Sequence, residues 1–463
     1  MCALISVFWI SALSGCAVGP DFEKPQVDVP ASWSDANSTS SVAEDLAHWW
    51  TTFGDPNLTS LIERAIKSNL NLKIAESRIR QARASRGVVA SGFWPSANLS
   101  GSYSRGRASG SSPVTDLYQT GLDAIWEIDI FGGTRRGIEV ADADILTAVE
   151  DHRNVLITLT AEVALNYIDL RGLQQEIVIA QDNLKAQQHS ANLTKERFEG
   201  GFVSALDVAN ANALVASTAS QIPVLQGAAH QTIYNIAILL GLEPSALLKE
   251  LLPSSTIPVG PVEVPAGLPS DLLRRRPDIR RAEAQLHAQT ALVGVAVADL
   301  FPRFTLSGSY GYRDTDFDSL TEWRNRSWSF GPSIGWQIFS AGKVRSNIEL
   351  QKAVQEQSMI AYQQTVLTAL QEVENALIAS STEFEHRSAL IEVVAANRKA
   401  VELSTQLYIE GQADFLNVLV AQRALYSSED ALVQSNRNVS TNLVALYKAL
   451  GGGWNIPSQQ MAD

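Results

Sequence analysis

The chain repeats itself at an interval of about 210 residues, which restricts it to folds built from two equivalent halves. Phe93-Trp94-Pro95 opens a segment ending in Leu99-Ser100-Gly101-Ser102-Tyr103. Leu300-Phe301-Pro302, 207 residues further on, opens one ending in Leu306-Ser307-Gly308-Ser309-Tyr310. Trp126 returns as Trp336, Leu206-Asp207-Val208 as Leu416-Asn417-Val418, and Leu240-Gly241 as Leu450-Gly451, each at 210. Solenoid repeats run roughly 20 to 50 residues, so a whole domain is duplicated here. A segment bearing Pro253, Pro258, Pro261, Pro265 and Pro269 joins the copies. The expected divisions are a first repeat at 46–252, a linker at 253–270, a second repeat at 271–452 and a tail at 453–463.

Each repeat reads as helix, strand, strand, long helix, helix. The strand pairs, expected at about 96–130 and 303–339, alternate with period two. Phe304, Leu306, Gly308, Tyr310 and Tyr312 share one face, and Thr305, Ser307, Ser309 and Gly311 the other. Ala97, Leu99, Gly101 and Tyr103 oppose Asn98, Ser100, Ser102 and Ser104 in the same way. The partner strands place Trp328, Phe330, Ile334, Trp336 and Ile338 together, as they do Tyr118, Leu122, Ala124, Trp126 and Ile128; Ile125 breaks the pattern. Strands of about ten residues with one apolar face, one small polar face and aromatics near the ends suit a transmembrane barrel. A half-buried soluble sheet alternates identically. Pro332 is awkward in a central strand, because it cannot donate to the ladder.

The helices are long. No proline interrupts Arg135 to Glu199 or Lys343 to Glu410. At 1.5 Å per residue the first would extend roughly 100 Å. A heptad stripe of Leu156, Val163, Leu170, Ile177, Leu184, Ala191 and Phe198 indicates coiled-coil packing. Each long helix ends at a glycine-bearing turn, Gly200-Gly201-Phe202-Val203 and Gly411-Gln412-Ala413, where glycine suits the left-handed C-cap. Ser204 with Asp207, and Asp414, are placed to cap the returning helices.

The N-terminus reads as an address. Residues 3–13 are mostly apolar, the length of a signal-peptide core and too short to span a bilayer. They run into Leu13-Ser14-Gly15-Cys16, the pattern of a bacterial lipobox, so residues 1–15 are expected to be removed and Cys16 to carry acyl chains. No Lys or Arg precedes the apolar run, which departs from the usual positive start. Ala17 follows the cysteine in place of the Asp that retains lipoproteins at the inner membrane, and residues 16–45 read as an extended tether.

Together these landmarks resemble the outer membrane factor family, the TolC-like efflux channels, and within it the lipoprotein OprM/NodT-like branch. The most specific stretches are Cys16-Ala17-Val18-Gly19-Pro20-Asp21-Phe22-Glu23-Lys24-Pro25, Arg275-Arg276-Pro277-Asp278-Ile279-Arg280, and Gly411-Gln412-Ala413-Asp414-Phe415-Leu416-Asn417-Val418-Leu419. The resemblance implies an α+β membrane protein forming a homotrimer. Each chain would give four strands to a shared twelve-stranded outer-membrane barrel that continues into a periplasmic α-helical tube. Four strands cannot close a barrel whose smallest known form has about eight, which argues independently for sharing. The resemblance also implies membrane lipid, a periplasmic adaptor (membrane fusion protein) and an inner-membrane efflux pump as partners. The adaptor would dock at Gly200, Gly201, Phe202, Val203, Gly411, Gln412 and Ala413, and Asp414 would line a periplasmic gate.

Other chemistry finds little support. A net charge of −13 argues against a nucleic-acid binder. The only cysteines are Cys2 and Cys16, which leaves no disulfide framework or Cys-rich metal site in the body of the chain. No two of the six histidines lie at i, i+4, and Glu383 with His386 has no second copy to make a di-iron site. No nucleophile elbow or phosphate loop is present. Neither an enzyme nor a cofactor or metal is expected. A periplasmic adaptor or a structural coiled-coil lipoprotein would account for the helices but not for paired aromatic strands in both halves.

Overall fold

The computed structural model describes residues 17–34, 46–107, 109–261, 267 and 269–454. Cys16 and the expected signal peptide lie outside them.

The element order follows the sequence reading in both repeats, except that in the first the helix expected before the strands is broken in two at Asn69, whose backbone is non-helical. The first repeat runs α1 (Pro56–Ser68), α2 (Leu70–Ser91), β1 (Ser96–Gly106), β2 (Thr115–Ile128), α3 (Gly133–Glu199) and α4 (Ala205–Leu239). The second runs α5 (Pro277–Ala298), β3 (Arg303–Asp314), β4 (Arg326–Gly335), α6 (Lys343–Ile409) and α7 (Phe415–Ala449). The two copies match in length: α3 and α6 each have 67 residues, α4 and α7 each 35. Short helical turns, including Leu248–Leu251 and Leu272–Arg275, flank the linker.

The chain divides into two compact units. One comprises Met1–Val27, Ser77–Asp151 and Arg280–Thr365. Its centre is a single antiparallel sheet in the order β1-β2-β3-β4. Pro332 falls on β4 opposite Leu306, and pairing continues on both sides of it, Thr305 with Ser333 and Ser307 with Gly331, so the ladder absorbs one missing N–H. β4 stops at Gly335, so Trp336–Phe339 lie beyond the ladder, four residues short of the expected end. The cause is a tight turn in which the Ile338 N–H bonds the Trp336 carbonyl at 3.1 Å. The same turn, Ile130 N–H to Ile128 carbonyl at 2.9 Å, ends β2.

The other unit comprises Asp28–Glu76, His152–Ile279 and Val366–Asp463. Its core stacks Trp49 on Tyr447, ring centroids 5.3 Å apart, beside Trp50 and Phe53. The duplication is visible in how helix ends are satisfied. Asn69 Nδ2 donates to the Leu239 carbonyl at the end of α4 (2.8 Å). Arg276, 207 residues on, donates to the Ala449 carbonyl at the end of α7 (2.8 Å). Arg276 is buried and also binds Asp278 and Glu372, both at 2.6 Å. This accounts for Arg276-Pro277-Asp278 in the second repeat: a buried cation needs paired acceptors.

Candidate functional site

Two parts of the chain carry features beyond what folding requires: the two faces of the sheet, and the paired turns between the long and returning helices.

Register sorts the sheet into unlike faces. One row runs Leu99, Leu122, Tyr310, Trp328; a neighbouring row runs Ala97, Ala124, Gly308, Phe330. Leu99 is 81% exposed and Phe330 79%, so this apolar face has no cover among the described residues. On the opposite face run Asn98, Asp123, Ser309, Ser329 and then Glu127, Thr305, Ser333. Hydroxyls on this face bond across strands, Ser309 to Ser329 at 2.9 Å and Thr305 to Ser333 at 2.6 Å. Gly121 and Gly311 are also paired there; a Cβ on Gly311 would lie 2.3 Å from the Thr120 carbonyl oxygen, so the strands meet closely only without side chains.

Aromatic rings mark both ends of the strands. At the helix-joined end, Trp126 Nε1 donates to the Phe93 carbonyl and Trp336 Nε1 to the Leu300 carbonyl, each at 3.0 Å. At the hairpin-loop end, Tyr103 packs on Tyr118 at 4.8 Å and Arg326 lies 4.0 Å from the Trp323 ring centre. An apolar band between two aromatic rims is the arrangement of a strand set in a bilayer. The edges β1 and β4 have no partner among the described residues. A long apolar edge is a pairing surface, so the sheet is complete only beside other strands. No helix among the described residues is long and apolar enough to cross a membrane.

The turns are built alike. Gly201, at φ +78°, closes α3: its N–H bonds the Phe198 carbonyl (2.9 Å) and the Phe202 N–H bonds the Arg197 carbonyl (2.9 Å). Gly411, at φ +74°, closes α6 with Gly411 to Tyr408 (3.1 Å) and Gln412 to Leu407 (2.8 Å). Both are the six-to-one, five-to-two pattern of a glycine helix stop. Gly200 serves differently: a Cβ there would sit 2.9 Å from the Phe202 ring, which folds back over the turn.

The returning helices start unlike each other. Ser204 and Asp207 form a reciprocal capping box, with Asp207 N–H to Ser204 Oγ at 3.3 Å and Ser204 N–H to the Asp207 carboxylate at 3.0 Å. Asp414 holds the N-cap position of α7, but its side chain accepts no cap bond, contrary to the sequence expectation. The Asn417 N–H goes to the Asp414 backbone carbonyl at 3.1 Å, and Asn417 has no carboxylate to reciprocate. The Asp414 carboxylate therefore stands exposed.

Arg197, which the sequence reading passed over, ties the turns together. Its guanidinium donates to the Tyr408 carbonyl and to the Ile409 carbonyl (3.3 Å), the last acceptors of α6. It also lies 4.7 Å from the Tyr408 ring centre. Tyr408 is buried, its hydroxyl 3.3 Å from Thr194 Oγ1, and packs against Phe415 at 5.5 Å. A basic residue in the last turn of a helix was the available signal, but its acceptors are over 200 residues away. Between the turns lies a cavity of about 490 Å³, with Arg197, Phe202, Val203, Asp207, Ala413 and Asp414 among its lining. Every expected turn residue except Gly200 and Gln412 borders it. His386 and Glu383 are simply paired, 3.1 Å apart, with Ser435 as the further partner of Glu383.

A family described as outer membrane efflux protein matches residues 61–242 and 268–452. The nodulation protein T of Rhizobium leguminosarum bv. trifolii is 33% identical over 452 residues, 97% of each chain. A toluene efflux pump outer membrane protein of Pseudomonas putida is 32% identical over 475 residues, 99% of this chain and 98% of that one. Among solved structures, the outer-membrane channel OprN is 37% identical with a TM-score of 0.87, covering 95% of this chain and 100% of that one.

Proposed function

We propose, on the premise that this chain belongs to the outer membrane efflux protein family, that it is the outer-membrane channel of an efflux pump, a passive conduit and not an enzyme. The observation that carries the reading is the open sheet: four strands, apolar on one face and polar on the other, with neither edge paired among the described residues. Three copies edge to edge make a twelve-stranded barrel with the apolar faces toward lipid and the Ser, Thr, Asn and Asp faces lining a wet lumen. Exposed apolar residues along α6, among them Ile360, Leu367, Ile378 and Leu403, support the same assembly, because each needs a neighbour to cover it.

The finer assignments follow from this reading. The turns at 200–203 and 411–413 are where an adaptor of a tripartite pump docks, and the exposed Phe202 and Gln412 with the cavity between the turns support it. Asp414, with its carboxylate free, lines the gate. Cys16 carries the lipid anchor, supported by how firmly the next residues are held to the unit containing the membrane sheet. The Val18 N–H bonds the Phe131 carbonyl (3.1 Å), Arg136 pairs with Asp21 (2.7 Å), and Phe22 stacks on His287 (4.4 Å). Gly19 fits there because any Cβ would meet Gly294 Cα at 2.4 Å.

The purified membrane-extracted protein should run as a trimer, show acyl mass on its N-terminal cysteine, and conduct ions across a planar bilayer. A monomer that leaves the bilayer silent would defeat the channel reading. A conducting trimer without acyl mass would defeat the anchor alone.

A further inference from the structure

On α3 a polar residue recurs every seventh position: Asp169, Glu176, Asn183, Ser190, Arg197. They lie one residue before the apolar stripe of Leu170, Ile177, Leu184, Ala191 and Phe198, and most have polar partners across the helix interface. Arg437 Nε of α7 is 3.6 Å from Asp169. Asn183 Nδ2 donates to Glu429 of α7 (3.0 Å). Gln422 of α7 donates to Ser190 Oγ (2.8 Å). Arg197 ends the series on the last carbonyls of α6. Glu429 and Gln422 are themselves seven apart, so these two contacts share one antiparallel register; Asp169 and Arg437 lie six residues off it, a gap the long arginine side chain spans.

One rung carries an excess of charge. Glu176 is buried and faces Asp430, Arg437 and Asp169. Gly172 sits between Asp169 and Glu176, in the middle of a long helix, where glycine is among the least favourable residues. A Cβ there would lie 3.0 Å from Arg437 Cδ, so α3 gives up helix propensity to seat that arginine. The other polar groups nearby are engaged. Gln434 donates to Asp430 (2.8 Å), Tyr426 to Gln221 of α4 (2.5 Å), and Arg387 of α6 to Asn436 (2.6 Å). Three carboxylates thus share one guanidinium.

We propose that this ladder sets the axial register of α7 against α3, and with it the spacing of the two turns, and that Asp169, Glu176, Asp430 and Arg437 make the register depend on protonation. A polar residue in a helix seam specifies register because a slipped alignment strands it without a partner. Burial raises the affinity of all three carboxyls for a proton, and Asp430 and Asp169 add to the effect at Glu176 while Arg437 opposes it. A folded-state value above the unfolded one means the folded seam binds more protons. Its stability is therefore full below the ordinary carboxylate range and falls as pH rises through the raised values. Acidification tightens the seam.

The test is amide hydrogen exchange on the full-length trimer in detergent, corrected for intrinsic rates, from below the ordinary carboxylate range upward through neutral pH. Protection in residues 169–183 and 429–437 should fall several-fold as pH rises, and the turns at 200–203 and 411–413 should loosen in step. Glu176→Gln should flatten that dependence and keep the seam protected at high pH. Gly172→Ala removes no carboxyl but pushes Arg437 away from the three carboxylates, so it should steepen the dependence. An unchanged pH profile in Glu176→Gln or in Gly172→Ala overturns the proposal, as does a seam that responds while the turns do not. The readout needs no conduction, so failure here leaves the channel reading standing.

Discussion

The two turns have the same backbone and different chemistry. Both stop a 67-residue helix at a left-handed glycine with the same pair of hydrogen bonds. After that they diverge. The first starts its returning helix with a closed capping box and sends Arg197 across to the second. The second has Leu407 at the position equivalent to Arg197, and its cap carboxylate has no local partner. Duplication therefore supplied two identical scaffolds, and divergence made one a fastener and left the other with an available charge.

The largest effect should come from the feature the turns share. Gly201→Val and Gly411→Val force a β-branched residue into a left-handed conformation, which costs about 1–2 kcal/mol or more. At Gly201 a Cβ meets nothing, so the penalty is backbone strain alone; at Gly411 it makes an ordinary contact with Arg197 at 3.6 Å, which leaves the valine methyls beyond it to press on that side chain. Gly411→Val should therefore impair export more than Gly201→Val, with trimers still present on a gel. Equal export defects would mean that the link through Arg197 adds nothing.

Next should come the link itself. Arg197→Ala removes two charge-assisted bonds to α6, each worth roughly 1.5–3 kcal/mol when buried and less at this half-exposed site. We expect about 1–2 kcal/mol of local destabilisation, seen as faster hydrogen exchange in the last turn of α6. Leu407→Ala, the same position in the other repeat, should loosen α6 less. If the two variants are equivalent, the asymmetry is cosmetic.

How much of this was legible follows the same division. The duplication, the strand faces and both glycine stops could be read because each is a local or periodic signal. Leu99 and Tyr103 on one face against Ser100 and Ser102 on the other need only period two. Features joining distant parts of the chain could not be read. Arg197 finds its acceptors 211 and 212 positions away, and Arg276 its carbonyl 173 away. The polar ladder was hidden behind its neighbour, since the apolar stripe beginning at Leu170 is the stronger heptad. Trp336 and Ile338 continue the alternation, so period two alone extends the strand through them, whereas a three-residue turn ends pairing at Gly335.

The smallest effect on stability, and the sharpest on function, should separate the two caps. Ser204→Ala breaks a capping box and should cost about 1 kcal/mol, speeding exchange in the first turn of α4. Asp414→Asn should leave α7 unchanged, because no side-chain cap bond exists to lose and Asn suits the position as well as Asp. What Asp414→Asn removes is charge. In a trimer, three such carboxylates facing one axis repel one another, and a divalent cation relieves that repulsion by binding among them. Divalent block of the channel should therefore weaken in Asp414→Asn and persist in Ser204→Ala, measured as conductance against cation concentration at low ionic strength, where screening is least. If both variants are blocked like the parent, Asp414 is not at the constriction. The free carboxylate of the second turn would then have no part in gating.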